Sequence, residues 1–347
     1  MMRRILMLTT GGTIASVQSP DGLVPGLTSE QLRSYLPQIG ADIDIDIEEL
    51  FHIDSTDMTA AHWLKIVDAV KENYSSYDGF VICHGTDTMA YTAAVLSYMI
   101  QNSAKPIVLT GAQKPIGFEI TDAKANLQDS IIYAADPLSK GVQVVFAGNV
   151  IAGTRARKVR SMSFSAFNSI NLPEIATINN GSIVRYLADS DFVNTDEAQD
   201  NAKAGRTVFY DRINPKVFLL KLTPSMSPKL IPEIFRIYDG IVIESFGAGG
   251  IPQSIKQTLF DELSKYSPEE KVLAMTTQVP LEGSHLDSYE VGRRIAESFE
   301  ILEGRDMTLE AITAKLMWIL ADRDQSWDEI QRRFYKPVAK DTLIKQK

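Results

Sequence analysis

The chain of 347 residues is long enough for two domains, and its 44 % apolar and 23 % charged residues are those of a soluble globular protein. A net charge of -9 argues against a general nucleic-acid or anionic-membrane surface, while leaving room for a local basic pocket. The single cysteine, Cys83, excludes an intrachain disulfide or a cysteine-built metal site, and the four scattered histidines form no zinc motif.

Met1 to Leu8 starts like an export signal, but the apolar run is short and ends in Thr9-Thr-Gly-Gly-Thr13 without a small-residue cleavage site. A first strand over Ile5–Leu8 explains it better. No run approaches a membrane span, so a cytoplasmic protein is expected. Gly11 and Gly12 permit a tight turn and close approach of another group. The loop matches neither a Gly-x-Gly-x-x-Gly dinucleotide pattern nor a P-loop, and its polar group is the Thr13 hydroxyl. Pro20-Asp21-Gly22 and Pro25-Gly26 mark a flap, and Thr28 caps a short helix over 29–35. Ile43–Leu50 alternates as a half-buried strand and leads to a polar cluster at His52–Met58. A helix follows over 60–74, with Trp63, Ile66, Val67, Val70 and Tyr74 on one face.

Gly79–Cys83 is a buried strand and Met89–Ile100 an apolar helix, with His84-Gly-Thr-Asp-Thr88 between them. Further strands at Pro106–Leu109 and Val142–Ala147 flank a helix from Thr121 or Asp122 to Ala135. This repeated βα rhythm predicts a doubly wound N-terminal domain on a mainly parallel sheet, over 1–189. Arg155, Arg157, Lys158 and Arg160 form a basic run; Ser165–Asn171 reads as loop and Gly181–Tyr186 as strand. A linker is expected over 190–212. A smaller α/β domain over 213–347 has strands at Val217–Leu222, Gly240–Glu244 and Val272–Thr276, and turns at Pro224–Pro232. Its helices are expected at Ser254–Tyr266, Ser288–Leu302, Leu309–Leu320 and Trp327–Phe334.

The strand ends of the first domain carry Thr13, Ser55 with Thr56 and Asp57, Thr86 with Asp87, and Gly111 with Ala112. Ligands of open α/β sheets bind beyond such ends. A threonine hydroxyl is a poor nucleophile unless its proton is accepted, and Lys158 can tune such a network where an arginine cannot. Backbone N–H groups near Thr86 and Ala112 suit a developing oxyanion. Asp87 suits a ligand ammonium and Ser55 a ligand carboxylate. Together they describe a site for a small zwitterion with a cleavable carbonyl, with an amino-acid-binding module or a nucleotide-binding domain as alternatives.

Thr10-Gly-Gly-Thr-Ile-Ala15 and Gly79-Phe-Val-Ile-Cys-His-Gly-Thr-Asp-Thr-Met89 resemble the two signatures of the bacterial cytoplasmic, type I L-asparaginases. Asp54-Ser-Thr-Asp-Met58, Thr110-Gly-Ala-Gln113, Gly153-Thr-Arg-Ala-Arg-Lys158 and Glu244-Ser-Phe-Gly-Ala-Gly-Gly250 fall in the expected order, so the resemblance runs over nearly the full chain. It implies a two-domain asparaginase-like fold and hydrolysis of L-asparagine through a Thr13 acyl-enzyme. Thr86, Asp87 and Lys158 would complete the catalytic set. Ser55, Thr56, Thr86, Asp87 and Ala112 would bind substrate, with the N–H groups of Thr86 and Ala112 as the oxyanion hole. It further implies no cofactor or metal, no nucleic-acid or membrane partner, a homodimer or dimer of dimers, and in some members a regulatory asparagine site.

The sequence departs from the family in two places. Leu23 stands where many members have a flap tyrosine, and a leucine can neither donate a proton nor a hydrogen bond. Thr276–Ser284, where the regulatory pocket would lie, matches loosely. Arg155, Arg157 and Arg160 read as structural or interface charges, Cys83 as a buried apolar residue, and His84 as a support behind the site. His52, His62 and His285 have no case for catalysis, and Trp63, Trp318 and Trp327 read as packing residues. The rival enzyme is an asparaginase-like amidotransferase subunit feeding ammonia to a partner. Such subunits usually carry an extra N-terminal domain, for which a strand beginning at Ile5 leaves no room. A non-catalytic amino-acid sensor would need Ser55 and Asp87 but not Thr13 and Lys158.

Overall fold

A computed structural model describes residues 2–19, 22–26, 29–36, 42–187, 206–286 and 298–343. The chain divides into two compact units, Met1–Asp211 and Arg212–Lys347.

In the first unit, β1 (Arg3–Gly11) is flanked by β4 (Ile43–Ile53) and β5 (Gly79–Cys83), both parallel to it. Next come β7 (Pro106–Thr110) and β8 (Gly141–Phe146), also parallel, and then β9 (Asn149–Ala152), β12 (Ala176–Asn179) and β13 (Ser182–Arg185), each antiparallel to the strand before it. The eight-stranded order β13-β12-β9-β8-β7-β5-β1-β4 makes the sheet mixed, with its parallel half wound in both directions from β1. Three helices cross between the parallel strands: α2 (Ala60–Asn73), α3 (Met89–Met99) and α4 (Ala123–Ala135). The strand period of two sorts the core. Ile5, Met7, Val81, Cys83 and Val108 pack with Ala123, Leu127 and Ile131 of α4, while Leu6, Leu8, Phe80 and Ile82 are buried from the opposite face. Strands covered on both faces read as continuous apolar runs, which is how β5 and β7 were legible.

The flap is a hairpin of β2 (Ser16–Ser19) and β3 (Gly22–Pro25), whose turn at 20–21 and the Thr28 cap lie outside the described residues; the helix begun there is α1 (Ser29–Arg33). Ser165–Asn171, expected as loop, contains β11 (Phe167–Ser169), which pairs antiparallel with β10 (Ala156–Lys158). Most of the expected linker, 190–205, lies outside the described residues. The remainder is tied to the first unit, since β14 (Val208–Phe209) pairs with β6 (Ile100–Gln101) and Tyr210 N–H donates to Met99 O.

The second unit has a parallel four-stranded sheet, β15 (Val217–Lys221), β16 (Gly240–Ser245), β17 (Val272–Thr277) and β18 (Leu302–Glu303). Its helices are α5 (Leu230–Ile237), α6 (Gln253–Leu263), α7 (Leu309–Ile319) and α8 (Trp327–Tyr335). The helix expected over 288–302 falls mainly on residues outside those described, and its final residue Leu302 is strand, paired with Ala274. The turn expected to reach Pro232 instead gives way to α5 at Leu230, because a proline in the first helical turn forfeits no intrahelical bond. Lys315 of α7 is fully buried and bonded to Asp341 at 2.7 Å and to Lys336 O at 2.8 Å, which fastens the last described turn of the chain. Among the described residues no helix is long and apolar enough to cross a membrane.

Candidate active site

The carboxyl ends of the neighbouring strands β4, β1, β5 and β7 lead directly into Ser55, Thr13, Thr86 and Ala112. Their loops come this close only because glycines stand at the contacts. Gly11 and Gly12 have φ of +96° and +78°, and a Cβ on Gly12 would lie 2.5 Å from Gly85 Cα. A Cβ on Gly85 would lie 2.6 Å from Ser55 Oγ, and one on Gly111 would lie 2.3 Å from His84 O. The backbone before Thr13 therefore rests on the backbone before Thr86, with Ser55 on its other side.

Lys158 reaches this place from β10, which the pairing with Phe167–Ser169 holds in position. Its ammonium donates to Thr86 Oγ1 at 2.7 Å and Asp87 Oδ1 at 2.6 Å. The Thr86 hydroxyl in turn donates to Gln113 Oε1 at 3.2 Å, and Gln113 Nε2 donates to Ser163 O at 3.2 Å. Asp87 is 59 % exposed in its side chain, against 18 % for Lys158. One carboxylate oxygen thus holds the lysine while the other is open to a ligand.

The hydroxyls of Thr13 and Ser55 have no hydrogen-bond partner in the protein among the described residues. The amide N–H groups of Thr86 and Ala112 are likewise without acceptors, although these residues are only 5 % and 1 % exposed. Buried unpaired N–H groups are rare in folded proteins. Two of them beside two unengaged hydroxyls make a polar recess complementary to a small acceptor-rich ligand. Thr56 is placed differently: its hydroxyl and N–H both bond Asp54 Oδ1 at 2.8 Å, capping the short 3-10 turn Ser55–Asp57. Thr88 Oγ1 donates to Ser55 O at 2.7 Å and steadies that turn from the β5 side.

Of the other cations of the basic run, Arg155 is completely buried, whereas Arg160 bonds Ser165 O at 2.8 Å. Leu23 lies in β3 across from Gln18. His84 is fully buried: Nδ1 bonds Gly85 O at 2.7 Å and Nε2 meets Thr92 Oγ1 at 2.9 Å, with Trp63 Nε1 donating to the same hydroxyl at 2.9 Å. Burial lowers its pKa to about 4 and raises that of the Cys83 thiol to about 12. Among the described residues no cluster of His, Cys, Asp and Glu could hold a metal ion.

Two residues near the recess carry no signal of their role in the sequence. Gln113 follows Gly111-Ala112 and is visible there only as part of the motif. Asn126, on α4 and 1 % exposed, donates from Nδ2 to Gly111 O at 2.9 Å and Asp122 Oδ2 at 3.1 Å, and accepts the Ala147 N–H at 2.9 Å. A polar residue on a helical face gives no hint of such bonds.

The family model described as Asparaginase, N-terminal matches residues 4–190, and that of the Glutaminase/Asparaginase C-terminal domain matches 216–334. An L-asparaginase from Thermococcus kodakarensis is 37 % identical over 340 residues, covering 97 % of this chain and 98 % of that protein. The solved structure of the thermostable L-asparaginase from that organism aligns with a TM-score of 0.86 at 34 % identity, covering 97 % of this chain and 98 % of the other. L-asparaginase I from Vibrio cholerae aligns at 0.83 and 28 % identity, covering 99 % and 100 %.

Proposed function

The chain belongs to the asparaginase/glutaminase family, and from that premise we propose that it hydrolyses the side-chain amide of L-asparagine to L-aspartate and ammonia. The observation that carries this reading is the Lys158–Thr86–Asp87 cluster, with contacts of 2.7 and 2.6 Å, beside the unengaged Thr13 hydroxyl.

Thr13 Oγ1 attacks the amide carbon; its proton passes to Thr86 Oγ1, whose own proton goes to Lys158 Nζ as the lysine hands one to the Asp87 carboxylate at 2.6 Å. The amide oxygen gains the negative charge and is received by the N–H groups of Thr86 and Ala112. The carbon–nitrogen bond then breaks, the nitrogen takes a proton and ammonia departs, leaving an ester on Thr13. Water, deprotonated through the same network, attacks that ester; aspartate leaves and Thr13 regains its hydrogen. The free oxygen of Asp87 holds the substrate ammonium, and Ser55 Oγ donates to its α-carboxylate, whereas Thr56, whose N–H and hydroxyl are held by Asp54, supports the turn that presents Ser55.

Within the family we place the chain with the cytoplasmic type I enzymes of bacteria, acting as a homodimer or dimer of dimers without a cofactor. Thr56, where extracellular relatives commonly have glutamine, supports that placement, as does the similarity to L-asparaginase I of Vibrio cholerae. Catalysis is assigned to a domain over 1–189.

Ammonia release from L-asparagine and L-glutamine by the purified protein, with Thr13→Ala beside it, tests the reading. We expect release from asparagine and a loss of several orders of magnitude in the folded variant. The two amides differ by one methylene, so discrimination of about 1–3 kcal/mol is expected between them. Wild-type rates retained in Thr13→Ala would reject the nucleophile, and no release from either amide would reject the reaction.

A further inference from the structure

The two unpaired amides each share a peptide group with a glycine carbonyl, and each of those carbonyls is held by a buried side chain. We infer that His84 and Asn126 are positioning residues: by bonding Gly85 O and Gly111 O they aim the N–H groups of Thr86 and Ala112 at the substrate's amide oxygen. The inference rests on the proposed amide hydrolysis and adds two residues to it.

A planar trans peptide points its N–H opposite to its C=O, so fixing the oxygen fixes the donor. Both peptides are trans. Asn126 admits one orientation only. Its Nδ2 faces two acceptors, Gly111 O and Asp122 Oδ2, while its Oδ1 faces the Ala147 N–H; a flipped amide would break all three bonds. His84 is equally determined. Gly85 O can only accept, so Nδ1 carries the hydrogen. Held neutral by burial, the ring then accepts at Nε2 from Thr92 Oγ1, which accepts from Trp63 Nε1. Every polar atom of the chain from Trp63 to Gly85 is satisfied in one arrangement of protons.

This arrangement answers a conflict in the site. Glycine is required at 85 and 111 because a Cβ there would lie 2.6 Å from Ser55 Oγ and 2.3 Å from His84 O. Glycine also leaves the adjacent peptide the freest to rotate. An oxyanion hole works only if its donors are fixed before the charge develops. The rigidity that the glycines cannot supply comes from His84 and Asn126. Asp122 completes the grip on the second loop, accepting the N–H groups of Gln113 and Lys114 at 2.9–3.1 Å.

The test compares His84→Ala, His84→Asn, His84→Gln and Asn126→Leu by steady-state ammonia release from L-asparagine, with melting temperatures alongside. An asparagine at 84 has its Nδ2 where the ring has Nδ1, and can still donate to Gly85 O. A glutamine reaches towards Thr92 instead. We expect His84→Ala, His84→Gln and Asn126→Leu to lower kcat about 10–100-fold, short of the 10²–10³ for losing a donor outright, with KM changed less than about threefold. His84→Asn should recover most of kcat even where its melting temperature stays as low as that of His84→Ala. If kcat follows melting temperature and ignores the δ donor, or if the variants all turn over as the wild type does, the inference is overturned while amide hydrolysis stands. An inert wild-type protein would overturn both.

Discussion

Lys158→Met keeps the aliphatic stem of the side chain and removes only its ammonium. That ammonium lies 2.7 Å from Thr86 Oγ1 and 2.6 Å from Asp87 Oδ1. Folding should scarcely notice: with the Asp87 side chain 59 % exposed, solvent screens the pair and its contribution is about 0–1 kcal/mol. The reaction should notice a great deal. A positioned acid–base group accelerates a step by about 10²–10⁴, or about 3–5 kcal/mol of barrier. Ammonia release at saturating asparagine should therefore fall by two to four decades at roughly unchanged KM, since the Asp87 carboxylate is still there to meet the substrate ammonium. Lys158→Arg restores the charge but puts a planar, always-protonated guanidinium in place of the amine, so it should stay within about tenfold of the methionine variant. A Lys158→Met protein that melts like the wild type and retains more than about a tenth of its kcat would remove Lys158 from the proton path. Wild-type turnover in Lys158→Arg would reduce its role to that of a fixed charge.

Gly85→Ala should cost about 1–3 kcal/mol and raise KM, because the new methyl lies 2.6 Å from Ser55 Oγ and 3.3 Å from Gly12 Cα; unchanged denaturation and KM would mean that the loops separate freely. His84 titrates near pH 4 in the native protein against 6.5 unfolded, so its contribution to stability is complete above pH 6.5 and is lost as the pH falls towards 4. Between pH 7 and 4 the wild type should lose about 3 kcal/mol more than His84→Asn in denaturant titrations, and parallel curves would contradict this. Asp341→Ala takes the counter-charge from the fully buried Lys315, leaving its bond to Lys336 O, and should cost about 3–5 kcal/mol by guanidinium unfolding. Replacing both partners by apolar residues should cost much less, and equal losses would show that packing rather than charge is at stake.

Apolar runs that end in glycine and hydroxyl residues made the parallel half of the first sheet legible, because strands covered on both faces admit little else. Thr13, Thr86 and Asp87 were visible for the same reason, as polar residues at the ends of such runs. Lys158 was legible as a cation within a motif, but not the short pairing of Ala156–Lys158 with Phe167–Ser169 that presents it, since strands of three residues have no period of their own. α5 was hidden behind Pro232, whose place in the first turn is harmless only once the register is known. Gln113 and Asn126 act through bonds to backbone atoms far along the chain, whereas His84, legible as a support behind the site, bonds the adjacent Gly85 O and the Thr92 hydroxyl. Asn126 joins Gly111 to Ala147 from a helix between them. Such closures depend on tertiary geometry, and the local pattern of residues does not encode them.

The only cysteine of the chain sits at the end of β5, between β1 and β7, 1 % exposed and with its thiol pushed up to about 12. Maleimides and disulfide reagents need an accessible thiolate, so the folded protein should be silent to them without any sequence change. Alkylation of Cys83 then requires the central strands to part, and its rate is a clock for opening of the very strand that delivers Thr86. A cysteine introduced on the surface could be labelled alone, in the native background, and followed while that clock runs.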